Sequence, residues 1–201
     1  MKEKKENWKK MNKYKVIALC GKAGSGKNYL LNKLVAADSN LYPIVSYTTR
    51  PPREGEVEGK DYYFISKEEF ANKVLNFEML EAVEFNGWHY GTGYGSFSKD
   101  KINVGIFDPQ GVEILMGYDN IDLIVYYIQA TDKNRLMRQL QREENPNVRE
   151  IIRRFNADDE DFYELDFTTD WEYYIIENNT LEDAENAVDY ILGQNRTIFL
   201  L

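Results

Sequence analysis

Residues 21–28 read Gly-Lys-Ala-Gly-Ser-Gly-Lys-Asn and lie between the apolar, β-prone run Tyr-Lys-Val-Ile-Ala-Leu-Cys and a helical pattern carrying Leu30, Leu31, Leu34 and Val35. A strand, a glycine loop and a helix in this order restrict the fold more than any other feature, because the strand must deliver the start of the helix to a single point. Glycines let backbone N–H groups turn inward around a phosphate chain. The helix start contributes its positive end, and Lys27 adds a mobile cation for β and γ phosphates. The pattern G-x-x-x-x-G-K thus marks a phosphate loop made of Gly21, Lys22, Ala23, Gly24, Ser25, Gly26, Lys27 and Asn28. Asn28 stands where serine or threonine is usual. An asparagine offers Mg²⁺ only its amide oxygen, so the metal is expected to rely more on water and nucleotide oxygens.

The rest of the chain alternates strands and helices. A strand is expected over 42–47, followed by a polar, proline-broken stretch over 48–61. Ser66 and Glu69 form a capping-box pattern ahead of Phe70, Val74 and Leu75, which predicts a helix there. A strand at 79–85 and a turn at Asn86-Gly87 come next, then buried strands at 104–107 and 121–128 with a helix between them starting near Pro109. Thr131 and Asp132 can cap a helix through Arg142; Pro146 interrupts, and a second helix follows to about Tyr163. The last pair is a strand at 173–176 and a helix at 181–192. This order predicts an α/β fold of three layers, a mostly parallel central sheet covered on both faces. No internal repeat is visible. The acidic stretch 158–161 reads as a solvated helix face rather than a metal site.

Composition narrows the partners. A chain of 201 residues suits one folding unit, and no apolar run approaches the roughly 18 residues needed to cross a bilayer. The formal charge of −9 argues against general affinity for nucleic acid, so any anion site must be local. One cysteine, Cys20, excludes an internal disulfide framework, and with a single histidine it leaves no clustered soft ligands for structural zinc. A reducing cytosol fits. The lysine-rich residues 1–13 read as a solvated tail without the apolar stretch of a secretory signal.

Val45-Ser46-Tyr47-Thr48-Thr49-Arg50-Pro51-Pro52-Arg53-Glu54-Gly55-Glu56, followed by Gly59-Lys60-Asp61-Tyr62, closely resembles the GMP-binding signature of guanylate kinases. Two arginines three positions apart beside tyrosines suit a phosphate monoester, because guanidinium groups offer planar paired donors. The resemblance extends from about Tyr14 to Leu192. It implies a domain over 14–201 in which 14–47 and 103–194 form the core, 48–95 a small mixed GMP-binding subdomain, and 131–163 include a helical lid. Arg50, Arg53, Tyr62 and Tyr90 would hold the acceptor phosphate, while Ser46, Glu81 and Thr92 would read guanine. A carboxylate can accept from guanine N1–H and its amino group, a donor pair that adenine lacks. His89 reads as a neighbour of Tyr90 with no catalytic partner.

The same resemblance gives Asp108, ahead of Gln110-Gly111, the role of an acid that orients Mg²⁺ through water or positions an arginine. Ile106 stands where the family usually has another acidic residue. The segment 93–102 is shorter than usual, so that a family helix there is reduced to a loop. Arg138, Arg142 and Arg153 fall at the spacings of lid arginines that close over the transferring phosphate, and Asn178 would lie near the ATP base. The implied reaction passes the γ-phosphate of ATP to GMP or dGMP, with Lys27, Arg50, Arg138, Arg142, Arg153 and Asp108 as its catalytic groups. ATP and Mg²⁺ are the implied donor and metal, the latter near Asn28 and Asp108. The implied protein is a cytoplasmic monomer or homodimer that binds neither nucleic acid nor membrane. Two alternatives remain: a viral-type deoxynucleoside monophosphate kinase of broader base choice, and a non-catalytic guanylate-kinase-like interaction domain, against which Lys27 argues.

Overall fold

The computed structural model describes residues 13–85, 87–142, 144–163 and 171–199. Residues 1–12 of the lysine-rich start, and Asn86 of the expected turn, lie outside the described residues. A five-stranded sheet runs in the order β2-β7-β1-β8-β9, built from β1 (Tyr14–Cys20), β2 (Leu41–Pro43), β7 (Ile102–Ile106), β8 (Ile121–Gln129) and β9 (Tyr174–Glu177). Every pairing in it is parallel. Helices α1 (Lys27–Ala37) and α6 (Leu181–Phe199) cover one face, and α3 (Pro109–Met116) lies on the other.

The strand β1 explains the layering. Val16, Ala18 and Cys20 join the cluster containing Val112 and Leu115, whereas Ile17 and Leu19 join Leu30, Leu34, Ala187 and Ile191. A strand buried on both faces reads as a continuous apolar run, as this one does. The parallel strands share one carboxyl edge. The phosphate loop after β1, Asp108 after β7, Thr131 after β8 and Asn178 after β9 therefore meet there, where α/β sheets carry their ligands.

A second sheet of four strands, in the order β4-β3-β6-β5, comprises β3 (Tyr47–Thr48), β4 (Tyr63–Phe64), β5 (Met79–Phe85) and β6 (Trp88–Gly93). It is mixed: β3 pairs parallel with β4 and antiparallel with β6, and β5 with β6 forms an antiparallel hairpin. Before that hairpin runs α2 (Lys67–Leu75), whose Ser66 and Glu69 form the expected reciprocal capping box. Phe70 of α2 packs under Gly91, where a Cβ would meet its ring at 3.0 Å. Between Gly93 and β7 only a short 3₁₀ turn, Tyr94–Ser96, is present, in line with the expected loss of a helix.

Four expectations need correction. The single strand at 42–47 is two strands in different sheets, β2 and β3, and the chain crosses between them. Ile44 is 5% exposed within the crossing, so the apolar run continues where the strand does not. The strand at 104–107 is shifted to Ile102–Ile106, with Phe107 turning out of the sheet after one last bond from its N–H to Leu19 C=O. The final helix does not stop near residue 192 but continues to Phe199, because Asn195 and Phe199 pack inward on the α6 face that already buries Ile191. Lastly, 158–161 is not wholly a solvated face: Asp158 is fully buried in α5 (Val148–Asp161), which follows α4 (Asp132–Gln141).

Candidate active site

The phosphate loop needs its glycines. Gly24 and Gly26 have φ of 80° and 98°, in the left-handed region that side chains disfavour. A Cβ at Gly26 would also collide with the Asn178 amide, which donates from Nδ2 to Ser25 C=O at 2.7 Å. Asn178 is thus buried beneath the loop and braces its backbone. Arg138 of α4 also holds the loop, reaching Gly24 C=O at 3.3 Å and Ser25 C=O at 3.4 Å. The Lys27 ammonium folds back onto the carbonyls of Gly21 and Lys22. Burial lowers its pKa to about 8, with the Asp158 charge opposing that fall.

Across the cavity, β3, β5 and β6 assemble a polar pocket. Ser46 Oγ and Thr92 Oγ1 lie 2.9 Å apart. Glu81 is opposite Thr92 in the β5–β6 register and only 6% exposed. Burial pushes its carboxyl up to about 8, although hydrogen bonds from Thr92 pull the other way. Arg50, after β3, pairs with Glu56 through Nη1 to Oε2 and Nη2 to Oε1, each 2.9 Å, and Nη1 also donates to Pro51 C=O. Its Nε is buried without a hydrogen-bond partner. The Arg53 N–H donates to Glu56 Oε2 at 2.7 Å. The rings of Tyr62 and Tyr90 stand 5.9 Å apart, and burial raises the Tyr62 phenol to about 12.

Most of these groups share one cavity of about 260 Å³ with the phosphate loop, Thr92 and Glu56 lying behind its wall. Its wall includes Gly21, Ala23, Gly24, Gly26, Lys27 and Asn28 on one side and Ser46, Arg50, Arg53, Tyr62, Glu81 and Tyr90 on the other, with Asp108 between them. Asp108 caps α3, accepting from Gly111 N–H at 2.7 Å ahead of Pro109. Burial lifts its carboxyl to about 6 against the pull of that N–H. Among the described residues no group of three or more His, Cys, Asp or Glu side chains is placed to hold a metal ion. Asn28 and Asp108 share the cavity, however, and Mg²⁺ arriving on a triphosphate needs only one or two protein oxygens, so this donor set fits it.

Of the expected lid arginines, Arg138 and Arg142 line the cavity. Arg153 does not. Its side chain is 47% exposed and pairs with Glu150, Nε and Nη2 each 2.8 Å from a carboxylate oxygen. The neighbouring Arg154 does line the cavity, its side chain 14% exposed and its Nε 3.6 Å from the same Glu150. A one-residue shift on a helix rotates a side chain by about 100°, which separates the two arginines. The spacing of Ile151, Arg154 and Asp158 along one buried helix face was the signal that would have found it. Glu56, Arg135 and Asp158 were likewise not singled out. A larger cavity, about 630 Å³, opens behind the mixed sheet between Tyr42, Tyr47, Tyr63, Phe77 and Tyr94. Its charged side chains, Lys73 and Glu78, pair with each other at 3.1 Å.

Comparison with known proteins agrees with this geometry. The family model described as guanylate kinase matches residues 13–195. A guanylate kinase of Thermotoga maritima is 32% identical over 190 residues, 92% of this chain and 88% of that one. The guanylate kinase of Mesoplasma florum is also 32% identical, over 90% of this chain, which spans 61% of that protein's length. The crystal structure of guanylate kinase from Anaplasma phagocytophilum aligns with a TM-score of 0.66 and 27% identity, covering 92% of this chain and 86% of that one. Two sheets facing one phosphate loop, and a match along nearly the whole sequence, have a common explanation: the chain belongs to the guanylate kinase family.

Proposed function

We propose that this protein transfers the γ-phosphoryl group of ATP to GMP or dGMP, yielding ADP and the corresponding diphosphate. The observation that carries the proposal is the single cavity in which a phosphate loop faces a buried carboxylate and two arginines. ATP would lie with its phosphates along Gly21 to Asn28, and Lys27 would exchange two loop carbonyls for β and γ oxygens. GMP would present its guanine to Ser46, Glu81 and Thr92 and its phosphate to Arg50, Arg53, Tyr62 and Tyr90. The buried Arg50 Nε, still without a partner, is a donor suited to that phosphate.

An acceptor phosphate oxygen then attacks the γ-phosphorus in line, the bond to the β-bridging oxygen breaks, and no covalent protein intermediate is needed. Negative charge spreads over the equatorial oxygens, where Arg138, Arg142 and Arg154 would stabilise it; Arg154 replaces Arg153 in this role. Mg²⁺ bound with the nucleotide would be held on the protein side by Asn28 and Asp108, and it would neutralise phosphate charge. Closure of the segment bearing these arginines keeps water from competing with GMP. A soluble cytosolic setting accords with the single, buried cysteine. A coupled assay of ADP production with GMP, dGMP, AMP and dTMP tests the reading: turnover should be confined to the guanine nucleotides. Equal rates with AMP or dTMP would refute it.

A further inference from the structure

The peptide of Ala23, inside the phosphate loop, is held on both sides by helices α4 and α5. Its N–H donates to Asp158 Oδ2 at 2.7 Å, and its carbonyl accepts from Arg135 Nε at 3.1 Å and Gln139 Nε2 at 3.4 Å. Arg135 Nη2 and Asp158 Oδ2 are joined at 2.6 Å, with side chains 3% and 0% exposed. The guanidinium lies 4.5 Å from the Phe155 ring and also reaches Asp132 at 2.9 Å. Next along the loop, a Cβ at Gly24 would collide with the Arg135 carbonyl, so loop and helix backbones touch.

This pair is a poor device for stability alone. Removing both charges from water costs several kcal/mol, and an apolar pair of similar volume is commonly as stable or more so. Asp158 Oδ1 moreover has no hydrogen-bond partner. What the pair supplies is direction: two points fixed on one peptide, from the same helices that bring Arg138, Arg142 and Arg154 to the cavity.

We propose that Arg135 and Asp158 are positioning residues for the donor nucleotide, holding the phosphate loop in its binding curve from the helices that carry the arginines. The proposal rests on assigning residues 21–28 to ATP. It makes the shape of the donor site depend on how α4 and α5 sit, while the guanine pocket on β3, β5 and β6 is independent of them.

The test is the double variant Arg135→Leu with Asp158→Ala, which removes one positive and one negative charge and leaves the net charge around the loop unchanged. Its thermal midpoint should stay close to that of the unaltered protein. Calorimetric titration should show the ATP dissociation constant raised about tenfold, the loss expected when a displaced loop gives up roughly one hydrogen bond to the phosphates. The GMP constant should remain within about twofold. A folded variant with unchanged ATP affinity, or with both affinities reduced alike, overturns the proposal. Binding measurements separate this outcome from failure of the functional reading, which would appear as absent turnover in the unaltered enzyme. Should the double variant not fold, the Ala23 amide of the unaltered, nucleotide-free protein decides. It should exchange its hydrogen slowly, and exchange as fast as that of an exposed loop amide overturns the proposal.

Discussion

Glu56 grips Arg50 at two points, each carboxylate oxygen 2.9 Å from a different guanidinium nitrogen, and thereby fixes how the arginine faces the acceptor side of the cavity. Arg50 is 6% exposed and lies 5.5 Å from the Tyr62 ring, so little else in water competes for it. The pair leaves Nε buried and without a hydrogen-bond partner, a guanidinium nitrogen that a phosphate in the proposed acceptor site could still satisfy.

Replacing Glu56 with glutamine should therefore raise the KM for GMP about tenfold, since one charge-assisted grip on the guanidinium is lost. The KM for ATP should not move. A fall in the GMP KM would show that Glu56 competes with the phosphate rather than bracing its receptor.

The Glu81 carboxyl titrates near 8 in the unliganded protein because it is buried, yet it is the carboxylate form that can accept both guanine donors. Between pH 6.5 and 8, GMP binding should thus expel a proton and strengthen by up to about tenfold per pH unit. The stability linkage has the opposite sign. A folded-state value raised above 4.5 contributes stability that is complete below 4.5 and lost as pH rises through about 8. Calorimetry in buffers of different ionisation enthalpy measures the released proton. Glu81→Gln should abolish that pH dependence and cost orders of magnitude in preference for GMP over AMP. Binding independent of pH in the unaltered protein would place guanine recognition on other groups.

Arg153 and Arg154 both reach the Glu150 carboxylate, but only Arg154 lines the cavity, while Arg153 is about half exposed. Arg154→Ala should lower kcat by about two to three orders of magnitude, in the range found when a group that stabilises transition-state charge is removed. Arg153→Ala, which breaks an exposed pair with Glu150, should change kcat less than about twofold and stability by under about 1 kcal/mol. The reverse ranking would restore the assignment made from spacing alone.

That pair shows where sequence stops being informative. The phosphate loop, the Ser66–Glu69 capping box, β5 and the Asp108–Pro109 helix start were legible because each is a local device whose residues lie within a few positions of one another. The two sheets were not separable at 42–47, since Ile44 is apolar for the sake of the core it enters between strands. Arg135 and Asp158 are 23 residues apart and look like ordinary charges on amphipathic helices; only the packing of α4 and α5 against the loop joins them. Asn178 was found by its place after the last strand, but its hydrogen bond to Ser25 spans 153 residues, so its bracing role could not be read from neighbours.

Asn28 is the second residue of α1 and lines the cavity beside Lys27, at the position where phosphate loops usually offer a hydroxyl to Mg²⁺. An amide oxygen is a neutral, bulkier ligand, and the ion demands near-ideal octahedral geometry at about 2.0–2.1 Å, so a poorly placed donor is readily replaced by water. Asn28→Thr should then lower the free Mg²⁺ needed for half-maximal rate, with kcat at saturating Mg²⁺ little altered. The competing arrangement is that Asn28 contacts phosphate directly while nucleotide oxygens, water and Asp108 satisfy the ion. In that case threonine loses a contact and gains no ligand. Steady-state rates across free Mg²⁺ at fixed Mg·ATP distinguish the two. An unchanged or higher requirement in the threonine variant would exclude asparagine as the weak point of metal binding, and a higher KM for ATP alongside it would assign Asn28 to the phosphate.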